Sequence, residues 1–162
     1  MALEGRDTRD AEAHTMKAGV HFPEAVLVAI DFSPCSLRAL DTALSWRSET
    51  TELTLLHVVE SDLGRRLEQA GVGIATDIVS RMHARADEEL AALIAERTLK
   101  QTEGMVVEGI PFVEIVKVAN DLDMDLVVVG VHGGDAKLEA LLFGGTAEKV
   151  LRASDRPVLC VP

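Results

Sequence analysis

Five short apolar runs, spaced by stretches with helical periodicity, leave this chain few folds to choose from. The runs are VLVAID (Val26 to Asp31), LTLLHVV (Leu53 to Val59), MVVE (Met105 to Glu108), LVVVG (Leu126 to Gly130) and PVLCV (Pro157 to Val161). Apolar residues crowd these runs instead of alternating with polar ones, as in strands covered on both faces in a parallel sheet. Between them the period changes to that of a helix. Ser33 is placed to cap, Pro34 suits a first helical position, and Leu37, Leu40, Ala43 and Leu44 follow at helical spacing. Residues 76–100 carry one stripe of Ile78, Met82, Ala86, Leu90, Leu93 and Ile94. Pro111 opens a further helix, PFVEIVKVAND, and a last helix spans about 146–153. Segment 60–75 reads as a loop with some helix over 63–70. The order β-α-β-α-β-α-β-α-β predicts an α/β fold: an open parallel sheet with right-handed crossovers and helices on both faces.

A length of 162 residues suits one domain, and the core must be built from Val, Leu, Ile and Ala, since tyrosine is absent and aromatics make up 3%. The formal net charge of −11 argues against nucleic acid and anionic membranes as partners, because both demand clustered Lys and Arg. Cys35 and Cys160 form no CxxC or zinc spacing, which points to structural thiols in a reduced, cytoplasmic setting. Residues 1–24 read as a flexible acidic-polar tail without the basic start and apolar segment of a secretory signal. No run approaches the roughly 18 to 20 apolar residues of a membrane span.

Residues 130–146, GVHGGDAKLEALLFGGT, place Gly130, Gly133, Gly134, Gly144 and Gly145 around an apolar helical pattern. Glycine serves where a backbone takes positive φ or where something approaches closely. In open sheets, ligands sit beyond the carboxyl ends of the strands, and two features fall there: Asp31, closing the first strand, and Gly130, closing the fourth. A glycine loop entering a helix offers main-chain N–H groups to phosphate without basic side chains, although the same glycines could merely shape the connection. GxxxxGK[ST], GxSxG and a GxGxxG in the first turn are all absent. His57 reads as a hydrogen-bonded structural residue and His132 as a candidate ligand contact, while His14, His21 and His83 lack metal-ligand spacing, so no metal site is expected. Asp121, Asp123 and Asp125 read as capping and connecting residues. Lys137 and Lys149 could approach phosphates, but Asp135, Glu139 and Glu148 lie close in sequence.

VLVAIDFSPCSLRAL, LLHVVE, GIPFVEIVKVANDLDMDLVVVGVHG and LLFGGTAEKVLRASDRPVLCV, in this order and spacing, resemble the landmarks of the universal stress protein family over residues 25–162. The resemblance implies a five-stranded parallel sheet of order 3-2-1-4-5, which makes the first and fourth strands neighbours. It also implies a dimer formed through the C-terminal strand, whose apolar edge would invite pairing. Nucleotide-binding members carry glycine, two residues, glycine, nine residues, then Gly-Ser or Gly-Thr. Here Gly130 and Gly133 keep the first spacing and ten residues then precede Gly144, unless Gly134 takes the second glycine's place. Gly145 stands where the hydroxyl residue belongs, with Thr146 one position later. The resemblance places Asp31 at the ribose and phosphate end, the backbone around Val58 on adenine, and Gly130, Gly133 or Gly134, Gly144, Gly145 and Thr146 around the phosphates. Ala29 replaces a proline at the pocket wall. The implied ligand is ATP, ADP or AMP, with Mg²⁺ able to bridge phosphate oxygens. The expected function is a stress-response signalling module that shows a protein partner different surfaces when nucleotide-bound and empty. Two alternatives stand beside it: a member acting through protein surfaces alone, and a slow ATPase or phosphotransferase, for which no base or arginine clamp is visible.

Overall fold

A computed structural model describes residues 23–131 and 145–162. The tail positions 1–22 and His132, Gly133, Gly134, Lys137 and Gly144 lie outside the described residues. The elements are β1 (Ala25–Ala29), α1 (Pro34–Trp46), β2 (Glu52–Glu60), α2 (Ser61–Gln69), α3 (Ala75–Glu96), β3 (Thr102–Gly109), α4 (Pro111–Asp121), β4 (Leu126–Gly130), α5 (Gly145–Ala153) and β5 (Val158–Val161). The strands form one sheet of order β3-β2-β1-β4-β5, and every pairing is parallel.

Period-two alternation along the strands divides the core between the two faces of the sheet. Val26, Val28 and Ile30 join Leu53, Leu55 and Val128 on the face packed by Ala39 and Leu40 of α1 and Leu90 of α3. Leu27, Leu56, Val127 and Val129 occupy the other face, against Ile115, Val118 and Ala119 of α4 and Ala147 and Val150 of α5. This layering forces each helix to run back from the carboxyl edge of the sheet, so α1, α4 and α5 all start at that edge.

Local chemistry sets the helix starts. The Ser36 N–H donates to Ser33 Oγ at 3.2 Å, and Pro34 takes the first helical position. Pro111 does the same for α4. Three expectations need correction. The first strand ends at Ala29, so Asp31 lies two residues beyond it instead of closing it. Helix α3 stops at Glu96, and Thr98 takes a positive φ of 50°. In segment 60–75 the helix expected over 63–70 instead runs from Ser61 to Gln69 as α2, seated by Gly64, where a Cβ would fall 2.5 Å from Val79 Cγ2.

Asp125 and Asp123 do connect elements. The main-chain N–H groups of Glu24 and Ala25 donate to Asp125 Oδ2, and Arg156 pairs with Asp123 at 2.6 Å. Among the described residues no group of three His, Cys, Asp or Glu side chains is placed to hold a metal ion. No described helix is long and apolar enough to cross a membrane.

Candidate functional site

A cavity of about 370 Å³ opens at the carboxyl edge of the sheet, where β1 lies between β2 and β4 and the crossovers leave in opposite directions. Ala29, Asp31, Val58, Gly130, Gly145 and Thr146 line it together, so six of the nine sequence-derived positions meet in one place. Sequence reasoning missed several others: Ser33 and Ser36 from the start of α1, Glu60 and Leu63 at the junction of β2 and α2, Met82 from α3, and Pro111 and Ile115 from α4.

Asp31 sits in a tight turn. The Ser33 N–H donates to Asp31 Oδ1 at 3.0 Å, and the Asp31 N–H donates to Ser36 Oγ at 3.3 Å. Its other oxygen, Oδ2, accepts no hydrogen bond among the described residues. Phe32, next in the turn, has φ 61°, a left-handed conformation unusual for a bulky residue. Its ring packs on His57, with centroids 5.1 Å apart, and His57 Nδ1 lies 2.8 Å from the Ile30 carbonyl oxygen.

Val58 contributes main chain. Along β2 the Glu52 N–H donates to Glu24 and Leu56 accepts from Ile30, so even-numbered residues turn their amide groups toward β1. Because the β1–β2 pairing ends at Ala29 and Leu56, the N–H and C=O of Val58 face the cavity with no partner strand beside them.

The glycines divide by cause. A Cβ on Gly130 would stand 2.9 Å from the Cys35 carbonyl carbon and 3.0 Å from its Sγ, so the packing of α1 on β4 requires this glycine whether or not a ligand binds. A Cβ on Gly145 would meet none of the described residues within 4 Å, and this glycine begins α5, whose first residues Gly145, Thr146 and Ala147 border the cavity. The start of a helix carries partial positive charge and free N–H groups. Among the described lining residues the ionisable side chains are Asp31, His57 and Glu60, with no Lys or Arg. Lys149 does not supply a cation here, since its Nζ lies over the Phe112 ring at 5.3 Å. The buried Cys35 Sγ donates to the Val161 carbonyl oxygen at 3.3 Å, and partial burial raises the Cys160 pKa above that of an ordinary thiol.

The model of the Universal stress protein family matches residues 24–162. The chain is a universal stress protein. Universal stress protein MJ0577 of Methanocaldococcus jannaschii is 26% identical over 151 residues, covering 84% of this chain and 93% of the archaeal one. The solved structure of MJ0577 superposes with a TM-score of 0.74, covering 87% of this chain and 96% of its own. A universal stress protein in complex with cAMP shares 24% identity and a TM-score of 0.55, covering 88% and 98% of the two chains. The universal stress protein from Archaeoglobus fulgidus in complex with dAMP shares 20% and 0.59, covering 88% and 100%. At these last two identities the likeness is one of fold, and the universal stress protein sheet order is the one found in this chain.

Proposed function

We propose that this universal stress protein is a binding module for an adenine nucleotide, acting as a homodimer whose nucleotide-bound and empty forms present different surfaces to a protein partner in a stress response. The observation that carries it is the convergence on one cavity of the Val58 main-chain pair, the Asp31 carboxylate and the start of α5. Adenine offers an amino donor beside ring-nitrogen acceptors, which suits an N–H and a C=O on one strand residue, whereas guanine sets a carbonyl against that C=O. The unengaged oxygen of Asp31 suits a ribose hydroxyl, which can donate to it, better than a phosphate, which cannot. The N–H groups at the start of α5, with Gly130, Thr146 and the glycines at 133, 134 and 144, would receive the phosphates. Support from other members of the fold comes from the cAMP and dAMP complexes.

A second reading, a universal stress protein acting without nucleotide, is favoured by one feature: Gly145 removes a hydroxyl at the phosphate end of a wall that already carries two carboxylates. Calorimetric titration of the whole chain with ATP and Mg²⁺, with AMP and with GTP separates the two. We expect heat with the adenine nucleotides and less with GTP. Asp31→Ala, which removes one charge-assisted hydrogen bond, should weaken ATP binding about ten- to a hundredfold. No heat with any adenine nucleotide, together with no nucleotide carried through purification, would overturn the proposal in favour of the second reading.

A further inference from the structure

We infer that His57 is a positioning residue that stops the β1–β2 ladder one rung short and so keeps the Val58 N–H and C=O open to a base. In a parallel ladder the hydrogen bonds are evenly spaced, and each residue facing the neighbouring strand both donates and accepts. Here Glu52 N–H donates to Glu24 C=O at 2.7 Å, and further along Ile30 N–H donates to Leu56 C=O at 2.8 Å. Continuing that series, the next rung is a bond from Val58 N–H to Ile30 C=O. Among the described residues this rung is not formed. The Ile30 carbonyl instead meets His57 Nδ1 at 2.8 Å.

A carbonyl oxygen only accepts, so Nδ1 carries the proton and the neutral ring is the Nδ1–H tautomer. The side chain of His57 therefore stands in for the amide of the residue that follows it. The ring also packs against Phe32, whose φ of 61° turns the chain out of the strand direction directly after Asp31. Two consequences follow from one imidazole. Strand β1 cannot extend along β2 to cover Val58, and the turn bearing Asp31 is held to one side of the opening. A buried or half-buried amide without a partner is costly, so a free Val58 N–H is a feature that something must maintain.

The assignment of a base to Val58 rests on the nucleotide reading above; the role of His57 in ending the ladder does not, and the test separates them. Two variants are compared in the full chain. His57→Asn keeps an N–H donor near the Nδ1 position, and His57→Leu removes it while preserving bulk against Phe32. Amide hydrogen exchange at Val58 is measured without ligand. In His57→Leu the ladder is free to close, so the Val58 amide should become about tenfold or more better protected, while His57→Asn stays near wild type. A merely structural histidine would give the opposite, a looser edge and faster exchange, and that result or an unchanged Val58 would overturn the inference. Where His57→Leu does not fold, ring ¹⁵N shifts of wild-type His57 decide: a protonated Nδ1 supports the clamp and an Nε2–H tautomer overturns it. Titration with ATP adds the ligand arm. Binding should weaken about three- to tenfold in His57→Leu and be restored in His57→Asn. If wild type binds no ATP while the exchange pattern holds, the nucleotide reading fails and the clamp stands. If ATP binding is unchanged in His57→Leu, the assignment of the base to Val58 is overturned.

Discussion

Gly130 and Gly145 show how one residue type can be demanded by two different things. At Gly130 even a methyl group meets the Cys35 backbone at 2.9 Å, so Gly130→Ala should destabilise the fold by about 1 to 3 kcal/mol, read as a lower urea midpoint. At Gly145 nothing among the described residues stands within 4 Å of an added Cβ, and the residue opens a helix at the cavity wall. Gly145→Ser restores a hydroxyl at the phosphate end and should raise ATP affinity by up to about tenfold without loss of stability; unchanged affinity would show that Thr146 or the main chain already serves. Both residues were legible from the sequence as members of one loop. Their different causes were not, because the crowding at Gly130 comes from a helix nearly a hundred positions away. Cys160 makes a similar point in its protonation: burial disfavours the thiolate and raises the pKa, so the thiol remains protonated to higher pH than a free cysteine. Its alkylation rate should therefore rise only at more alkaline pH than that of a model thiol, as measured by mass spectrometry.

Elements that announce themselves through local chemistry were legible, and those that depend on a neighbour were not. LVVVG became β4 with its bounds unchanged, and Pro34 and Pro111 marked the starts of α1 and α4. Helix α2, SDLGRRLEQ, has few apolar residues and an internal glycine, and it is seated by the contact of Gly64 with Val79 and Ala75 of α3. The cavity divides in the same way. Asp31 follows from its place at the end of a strand run, Gly145 from the glycine-crowded stretch and Val58 from the family resemblance, whereas Met82 and Ile115 read as ordinary core positions until the helices are packed. At the ladder's end, the sequence marks His57, inside the second apolar run, as a hydrogen-bonded structural residue, but its partner Ile30 is fixed only by strand register. The central strand carries the greatest mechanical consequence. Leu27 is fully buried with strands on either side, so Leu27→Ala should cost about 2 to 5 kcal/mol with an unchanged denaturant slope.

At the scale of the whole molecule, the two sheet edges are unlike. The β3 edge carries Glu103, Gly104 and Glu108 and is packed by α3, whereas β5 is VLCV, without a charge. Val127 N–H donates to Pro157 C=O and Val131 N–H donates to Val161 C=O, so odd-numbered residues of β5 face β4. Val158 and Cys160 consequently turn their N–H and C=O groups outward. A second copy pairing there would satisfy them, which makes Cys160→Pro a clean disruption: it deletes one outward donor and spares the β4–β5 ladder. Sedimentation should show a dimer for wild type at micromolar concentration and a monomer for the proline variant, with thermal stability of the fold retained. The net charge of −11 adds a sign that can be tested independently. In a dimer paired through β5 each copy would bring like charge to the interface, so long-range repulsion would oppose an association driven by strand pairing and apolar contact. Raising ionic strength shortens the screening length to a few ångströms and removes that penalty while leaving the short-range contacts intact. The dimer should therefore tighten with added salt. A dimer that dissociated on salt addition would have to be held by ion pairs, and the uncharged strand β5 would not be its seam.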